Sequence, residues 1–432
     1  MNTGKSLLCH RLLLPMWVAV CLLASVQRAL GGAVTDSILY RFIGGSGDGS
    51  HPMSGLVADA QGNLYGTTVS GGSRCSGGCG TVFQLVPPAT KGGTWTENIL
   101  YTFADGRDGG LPAGSLILDA AGNLYGTATQ GGGVTPNCPA GCGVVFMLTP
   151  SPSLPWTETV LYSFSAQNGA AGIRPSANLI FDSLGNLYGT TEFDSVTGFG
   201  TVFELTPSGG SWMETTLYTF QGGADGAEST SGLIFDSLGN LYGTTQQGGG
   251  FGFGAVFELS PIAGGGWTEQ VLYGFQGGSD GSEPPASLVF DKAGNLYGSA
   301  LMAGNTYCRV GCGLIFELTP PIAPGQPWTK TTIYNFLGKS DGQNPYGPLI
   351  FDSAGNMYGT TGYGGGAPDA GTVFQLVPRN GSWVEYRYAF SSGNDGNNPL
   401  CGLVLIGKTL YGTTRRGGSS ASLGTVFSIT AP

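Results

Sequence analysis

The chain has 432 residues, of which 79 are glycine and 10% are charged; 27 acidic side chains outnumber 17 basic ones, for a net charge of −10. Such a balance makes nucleic acid and anionic membranes poor partners. Apolar runs are short and rich in Val, Ile, Phe and Tyr, and Gly, Pro, Asn or Asp interrupts them every 8 to 12 residues, a pattern that excludes a helical protein and predicts an all-β one.

Residues 1–31 read as an export signal: Lys5 and Arg11 lead into an apolar stretch from Leu12 to Val26, followed by small residues at Ala29, Gly31, Gly32 and Ala33. The stretch contains Pro15 and falls short of the roughly 20 residues a spanning helix needs. Cys21 is a poor lipidation site, because Val18-Ala19-Val20 precedes it and apolar residues follow. The mature chain, 32–432, is therefore expected to have no membrane span, to carry a charge of about −13 once Lys5, Arg11 and Arg28 are removed, and to be secreted or periplasmic.

From there one phrase recurs. Asp-x-x-Gly-Asn-Leu-Tyr-Gly places its tyrosine at Tyr65, Tyr125, Tyr188, Tyr242, Tyr297, Tyr358 and, in degraded form, Tyr411, at steps of 53 to 63 residues. A fixed period of this length means an array of identical supersecondary units. Residues 232 to 275 show one unit: Gly-Leu-Ile-Phe-Asp, a Gly-Asn turn, Leu-Tyr-Gly-Thr-Thr, a glycine loop, Gly-Ala-Val-Phe-Glu-Leu, and Trp-Thr-Glu-Gln-Val-Leu-Tyr-Gly-Phe. These are four strands, a to d, with a tight a–b hairpin whose aspartate accepts from turn amides. Strands apolar on both faces belong in sheets stacked between neighbouring sheets, and a radial array of four-stranded sheets is a β-propeller. Strand c carries its phenylalanine seven times (Phe83, Phe146, Phe203, Phe257, Phe316, Phe374, Phe427) and strand d its Tyr-x-Phe seven times, starting at Tyr40. The fold predicted is a single seven-bladed propeller.

The mature chain opens with a d strand and closes with a c strand. Residues 36 to 43 are thus predicted to complete the seventh blade and latch the ring, leaving no long unpaired edge.

The repeats, Gly-Asn-Leu-Tyr-Gly-Thr-Thr followed by a glycine loop and Gly-Thr-Val-Phe-Glu-Leu-Thr-Pro, resemble the GloVer tandem repeat of secreted bacterial "choice-of-anchor" proteins over residues 37 to 430. The resemblance implies an exported repeat protein, often tethered by a separate C-terminal anchor. No sorting signal is visible before Ala431-Pro432, so release or periplasmic residence is the expectation. Fold likeness by itself carries no function across.

Alternating strand directions put the d–a and b–c loops on one face of the disc, where a site is expected. Departures from the repeat there mark the candidate binding residues: Arg74, Arg309, Arg415 and Arg416 with Phe251, Phe253, Tyr307 and Tyr363, joined by Phe193 and Phe199. Aromatic platforms mixed with arginines suit a carbohydrate or peptide ligand; folding back as loop plugs is the alternative for the aromatics. The d–a loops also carry Asp48, Asp108, Asp225, Asp280, Asp341 and Asp395, with Asn168 at the seventh place. One carboxylate per loop falls short of a calcium loop's clustered oxygens, so each is assigned to its own turn. The aspartates of the a–b turns lie on the opposite face and are structural.

Cys75 with Cys79, Cys138 with Cys142 and Cys308 with Cys312 form three Cys-x-x-x-Cys pairs in b–c loops. In an exported protein these are expected disulfides, each worth about 2 kcal/mol. Zinc is disfavoured because no histidine is near, and Cys401 is expected to be a buried thiol. No metal and no cofactor is assigned. Catalysis has little support: His51 is the single histidine of the mature chain, and neither a triad nor a nucleophile elbow is visible. The reading is a monomeric, non-catalytic binding or scaffold propeller that recognises an extracellular polymer or protein with its loop face. The alternative is a carbohydrate-active hydrolase or lyase using Glu192 and Asp194 of the third b–c loop.

Overall fold

The computed structural model describes residues 36 to 430, apart from 91, 137, 166–171, 304–307, 309–310 and 324. The predicted export signal and the candidate residues Asn168, Tyr307 and Arg309 lie outside the described residues. Seven antiparallel sheets form the blades of a β-propeller. Blade 4 sets Ile234–Phe235 (a), Leu241–Thr245 (b), Ala255–Pro261 (c) and Trp267–Gly274 (d) side by side, and blades 1 to 6 repeat this order with consecutive strands. Blade 7 takes Val404–Ile406, Thr409–Thr414 and Thr425–Thr430 from the end of the chain and Asp36–Arg41 from its beginning. That latch strand pairs from Asp36 opposite Ile429 to Arg41 opposite Thr425, as the order of the ends predicts.

The repeated phrase folds as one hydrogen-bonded unit. In blade 4, Asp236 Oδ1 accepts from the Leu238 and Asn240 amides at 2.8 and 2.9 Å, while Oδ2 accepts from Asn240 Nδ2 at 2.8 Å and from the Tyr242 hydroxyl at 3.2 Å. Asp59, Asp119, Asp182, Asp291 and Asp352 repeat the arrangement. Asp236→Ala is expected to cost about 1–3 kcal/mol in a denaturant titration, since four donors lose one acceptor group. A midpoint unchanged within error would show that water replaces it freely.

The phrase's last glycine answers a packing demand. Gly243 pairs with Phe257 across strands b and c, and a Cβ there would come within 2.6 Å of the Phe257 ring. The strand-c phenylalanine lies over strand b, and only glycine leaves room. From the other side, the last residue of each Tyr-x-Phe meets the strand-c phenylalanine of the next blade edge-on. These pairs run Phe42–Phe83, Phe103–Phe146, Phe164–Phe203, Phe220–Phe257, Phe275–Phe316, Phe336–Phe374 and Phe390–Phe427, with centroids 5.1–5.2 Å apart. Each blade is thus tied to the next by a buried aromatic contact worth about 0.5–1.5 kcal/mol beyond its burial. Phe42–Phe83 makes this contact between the latch strand and blade 1, while pairing of the latch with Thr425–Thr430 closes the circle across the two ends of the chain.

Strand a is shorter than the pattern implies, with two ladder residues in blades 1 to 6 and three in blade 7. Upstream of it Pro, Gly and Ser break the ladder, and that segment lines the central funnel instead. Its backbone is satisfied radially: Thr127, Thr190, Thr360 and Thr413 of strand b donate to the carbonyls of Ala177, Ser231, Cys401 and Ser54 in the following blade. The last of these again bridges blade 7 to blade 1.

Candidate functional site at the funnel mouth

The d–a and b–c loops share one face and are joined there within every blade. Short antiparallel pairings connect them at Gly49–Gly71, Gly110–Gln130, Gly172–Asp194, Ala227–Gln247, Ser282–Met302, Gln343–Tyr363 and Asn397–Arg416. The face is a braced surface.

The Asp-Gly aspartates do not point into the funnel. Asp108, Asp225, Asp280, Asp341 and Asp395 each accept from the strand-d tyrosine seven residues back and from the amide four residues back. Strand-d tyrosines also meet an acidic residue on strand d of the next blade: Tyr40 donates to Glu97 at 3.1 Å, Tyr162 to Glu214 at 3.4 Å and Tyr388 to Asp36 at 2.9 Å. Most outer seams between blades therefore hold carboxylates bridged by a tyrosine. Burial, reinforced by the facing aspartate, pushes Glu158 and Glu269 up to about 7 and also raises Glu97 and Glu385. Two seams add a buried cation: Lys330 takes the glutamate's place between blades 4 and 5 and donates to Asp280 at 3.0 Å, and Arg387 stands between Asp341 and Glu385 between blades 5 and 6. Among the described residues no group of three or more His, Cys, Asp or Glu is placed to hold a metal ion.

Three residues after the repeated aspartate in six blades, and six after Asn168 in blade 3, the chain enters the left-handed region. His51, Leu111, Arg174, Glu228, Glu283, Asn344 and Asn398 occupy equivalent places in the seven blades with φ between 53° and 60°. Non-glycine residues adopt this conformation rarely and at some cost, and it persists only where surroundings fix it. Here the fixing is visible. Their amides donate at 2.8–3.0 Å to Leu423, Cys79, Cys142, Phe199, Phe253, Cys312 and Ala370, all in b–c loops of the preceding blade. Six of their carbonyls accept, at 3.0–3.4 Å, from Val69, Thr129, Glu192, Gln246, Leu301 and Arg415, the first residues after strand b.

Leu111 and Arg174 of the first series and Val69, Thr129, Glu192 and Gln246 of the second line a central cavity of ≈ 610 Å³ whose wall also includes Met53, Ala113, Ser176, Thr230, Pro285, Tyr346 and Leu400, one from each blade. The scaffold repeats, but these side chains do not. Blades 3 to 5 supply Glu192, Glu228 and Glu283; Arg174 pairs with Glu192 at 3.5 Å while half its side chain stays in solvent. Burial raises Glu192 and Glu283, and the charge of Glu228 adds to both. Blades 7 and 1 supply Arg415, Arg416 and His51, whose pKa falls through burial and the two guanidiniums beside it. Tyr346 of blade 6 sits between the two charge fields: burial raises its hydroxyl, Glu283 adds to this and Arg415 opposes it.

The candidates from sequence separate into two groups. Arg415 and Tyr363 lie near Tyr346 of the funnel wall, and Arg416 joins Arg415 beside His51. Arg74 turns to the outer seam, where it donates to the Tyr101 hydroxyl at 3.1 Å and lies 3.6 Å from Asp108. Phe199 and Phe253 cover the glycine turns at Gly222 and Gly277, Phe193 lies under the Arg174 guanidinium, and Phe251 is 60% exposed. The three disulfides, Cys75–Cys79, Cys138–Cys142 and Cys308–Cys312, are formed, and Cys401 is buried. Cys79, Cys142 and Cys312 occupy the place held by Phe199 and Phe253 in other blades, so a disulfide or an aromatic secures the carbonyl that holds the next rim residue. Asp194 spends both oxygens on its own loop, accepting from the amides of Val196, Thr197, Phe199 and Gly200 and from the Thr197 hydroxyl.

The seven left-handed positions escape a search for motifs because what distinguishes them is variation. The available signal is a residue that precedes proline in six of the seven blades, all but Glu228, and follows the repeated aspartate by three in all but Arg174's, and that changes from His to Leu, Arg, Glu and Asn inside an otherwise constant frame.

No curated protein matches the chain. Among solved structures it is similar to a protein of unknown function from Dyadobacter fermentans, with a TM-score of 0.45 and 10% identity over 92% of this chain and 98% of that one. A putative oxidoreductase (glucose dehydrogenase) from Thermus thermophilus gives 0.42 and 13%, over 92% and 99%. The sialidase of Trypanosoma rangeli gives 0.43 and 10%, over 93% and 60%. Likenesses of this strength bear on neither ligand nor chemistry. No helix among the described residues is long and apolar enough to cross a membrane. The family model of the Gloeobacter/Verrucomicrobia repeat matches residues 28–171, 133–310 and 305–432, and the chain belongs to that family of repeat propellers.

Proposed function

We propose that the protein is an exported, non-catalytic binding propeller that holds an extracellular polymer or protein at the funnel mouth of its loop face. The supporting observation is the rim itself: seven equivalent positions held in a costly conformation, each tied by its backbone, and filled with unlike side chains around a cavity of ≈ 610 Å³. A scaffold demand would be met by one residue type repeated seven times. Cavities of this size suit ligands of a few hundred daltons or the end of a longer chain. Three disulfides fit an oxidising compartment. Binding is favoured over hydrolysis because Asp194 is consumed by its own loop and Glu192 is paired with Arg174.

The test is capture of glycans and peptides by the purified protein, followed by substitution at the rim. Tyr346→Ala is expected to weaken the captured ligand about tenfold or more while leaving the thermal midpoint in place, because its side chain reaches solvent. If no glycan or peptide binds at millimolar concentration, the proposal fails.

A further inference from the structure

Resting on that reading of the funnel, we infer that its ligand is a short peptide with both termini free, the ammonium held by blades 4 and 5 and the carboxylate by blade 7. The distribution of uncompensated charge carries this inference. On the acidic side Arg174 is spent on Glu192, and among the described residues neither Glu228 nor Glu283 forms an ion pair. On the basic side Arg415 and Arg416 form none either, and Arg415 Nε is buried without a hydrogen-bond partner. In a ring of seven, blade 4 stands opposite the junction of blades 7 and 1. The two fields therefore lie on opposite sides of the ring, with Tyr346 of the cavity wall within reach of both Glu283 and Arg415, and among the described residues no ion pair joins them.

A gap with a cation site at one side and an anion site at the other selects a molecule carrying both charges at matching separation. Charge-assisted bonds to each end would be the strong ones. The wall between them is chemically divided. Met53, Leu111, Ala113 and Leu400 form an apolar arc through blades 7, 1 and 2, while Thr230 and Gln246 line the acidic side. An apolar arc accommodates peptide side chains, and the polar wall offers donors and acceptors to peptide groups. A sugar polymer would call for several stacking platforms, whereas Tyr346 is the one aromatic in the described lining.

Calorimetric titration of the full chain with three tripeptide libraries tests this: termini free, N-acetylated, and C-amidated. The free library is expected to bind, and blocking either end to weaken binding about tenfold or more. The pair Glu228→Gln with Glu283→Gln should erase the difference between free and acetylated libraries, and Arg415→Gln with Arg416→Gln that between free and amidated, as a double-mutant cycle requires. Equal affinity for all three libraries overturns the inference. So does the absence of any peptide binding when a glycan is still captured and then lost on Tyr346→Ala, an outcome that leaves the funnel as a binding site. Failure of every probe removes both readings.

Discussion

Deleting residues 36 to 42 is expected to lower the unfolding free energy by at least about 5 kcal/mol and to replace one cooperative transition by a broad or divided one. The strand supplies the whole outer edge of blade 7 and places Phe42, fully buried, against Phe83 of blade 1. Losing a buried phenylalanine costs about 3–5 kcal/mol, and a second share comes from Ile38 and Leu39, which pack in adjoining clusters. Broadening follows from architecture, because blades contact mainly their neighbours and an unlatched ring becomes a linear array. Denaturant titration of the deletion beside Phe42→Ala separates the two contributions. The point variant should lose about 3–5 kcal/mol and keep a single transition. A deletion that unfolds at the same midpoint and as sharply as the intact chain would show that the ring does not depend on its latch.

The second large effect concerns pH. Glu158 and Glu269 are pushed from the ordinary 4.5 up to about 7 by burial and by Asp108 and Asp225, with Glu97 and Glu385 raised in the same way. A carboxyl whose folded pKa lies above its unfolded one stabilises the fold fully below the unfolded value and loses that contribution as pH climbs through the folded value. After allowance for solvent screening, Glu158 and Glu269 contribute about 1–2 kcal/mol each. Asp59, Asp119 and Asp352 act oppositely, since their hydrogen bonds lower them below 3.8, but their contribution is complete before the glutamate window opens. The fold should be most stable near pH 5 and lose about 3 kcal/mol by pH 9. Glu97→Gln, Glu158→Gln and Glu269→Gln together should flatten that fall. A denaturant midpoint that is level or rising from pH 5 to 9 would rule the mechanism out.

The blade count, the strand order and the latch were legible because each depends on residues that recur in register: the Leu-Tyr-Gly glycine under its phenylalanine, the aspartate under its turn. The seam glutamates recur as well, in Trp-Thr-Glu, yet their meaning lies in a partner elsewhere. Tyr40 and Glu97 are 57 residues apart in sequence, and no local pattern joins them. The rim was hidden for a different reason. A left-handed φ at Arg174 or Glu228 is dictated by carbonyls of the preceding blade, and neither residue type advertises that conformation. Exposed aromatics drew attention outward, to Phe251 and Phe253, whereas the side chains that differ most from blade to blade stand around the axis.

Lys330 makes the seams unequal. Its ammonium, almost wholly buried, sits against Asp280 and over the rings of Tyr273 and Phe275, and Arg387 stands likewise between Asp341 and Glu385, so the joints between blades 4 and 5 and between 5 and 6 hold ion pairs where others gather carboxylates alone. The joint between blades 7 and 1 combines Tyr40, Asp48 and Glu97, and the strand that carries Tyr40 is held to the rest of blade 7 by pairing alone, since the two ends of the chain meet between strands c and d of that blade. Alkali should therefore loosen that joint first and part the ring within blade 7, where the latch strand leaves strand c as a clasp opens rather than as a wheel dissolves.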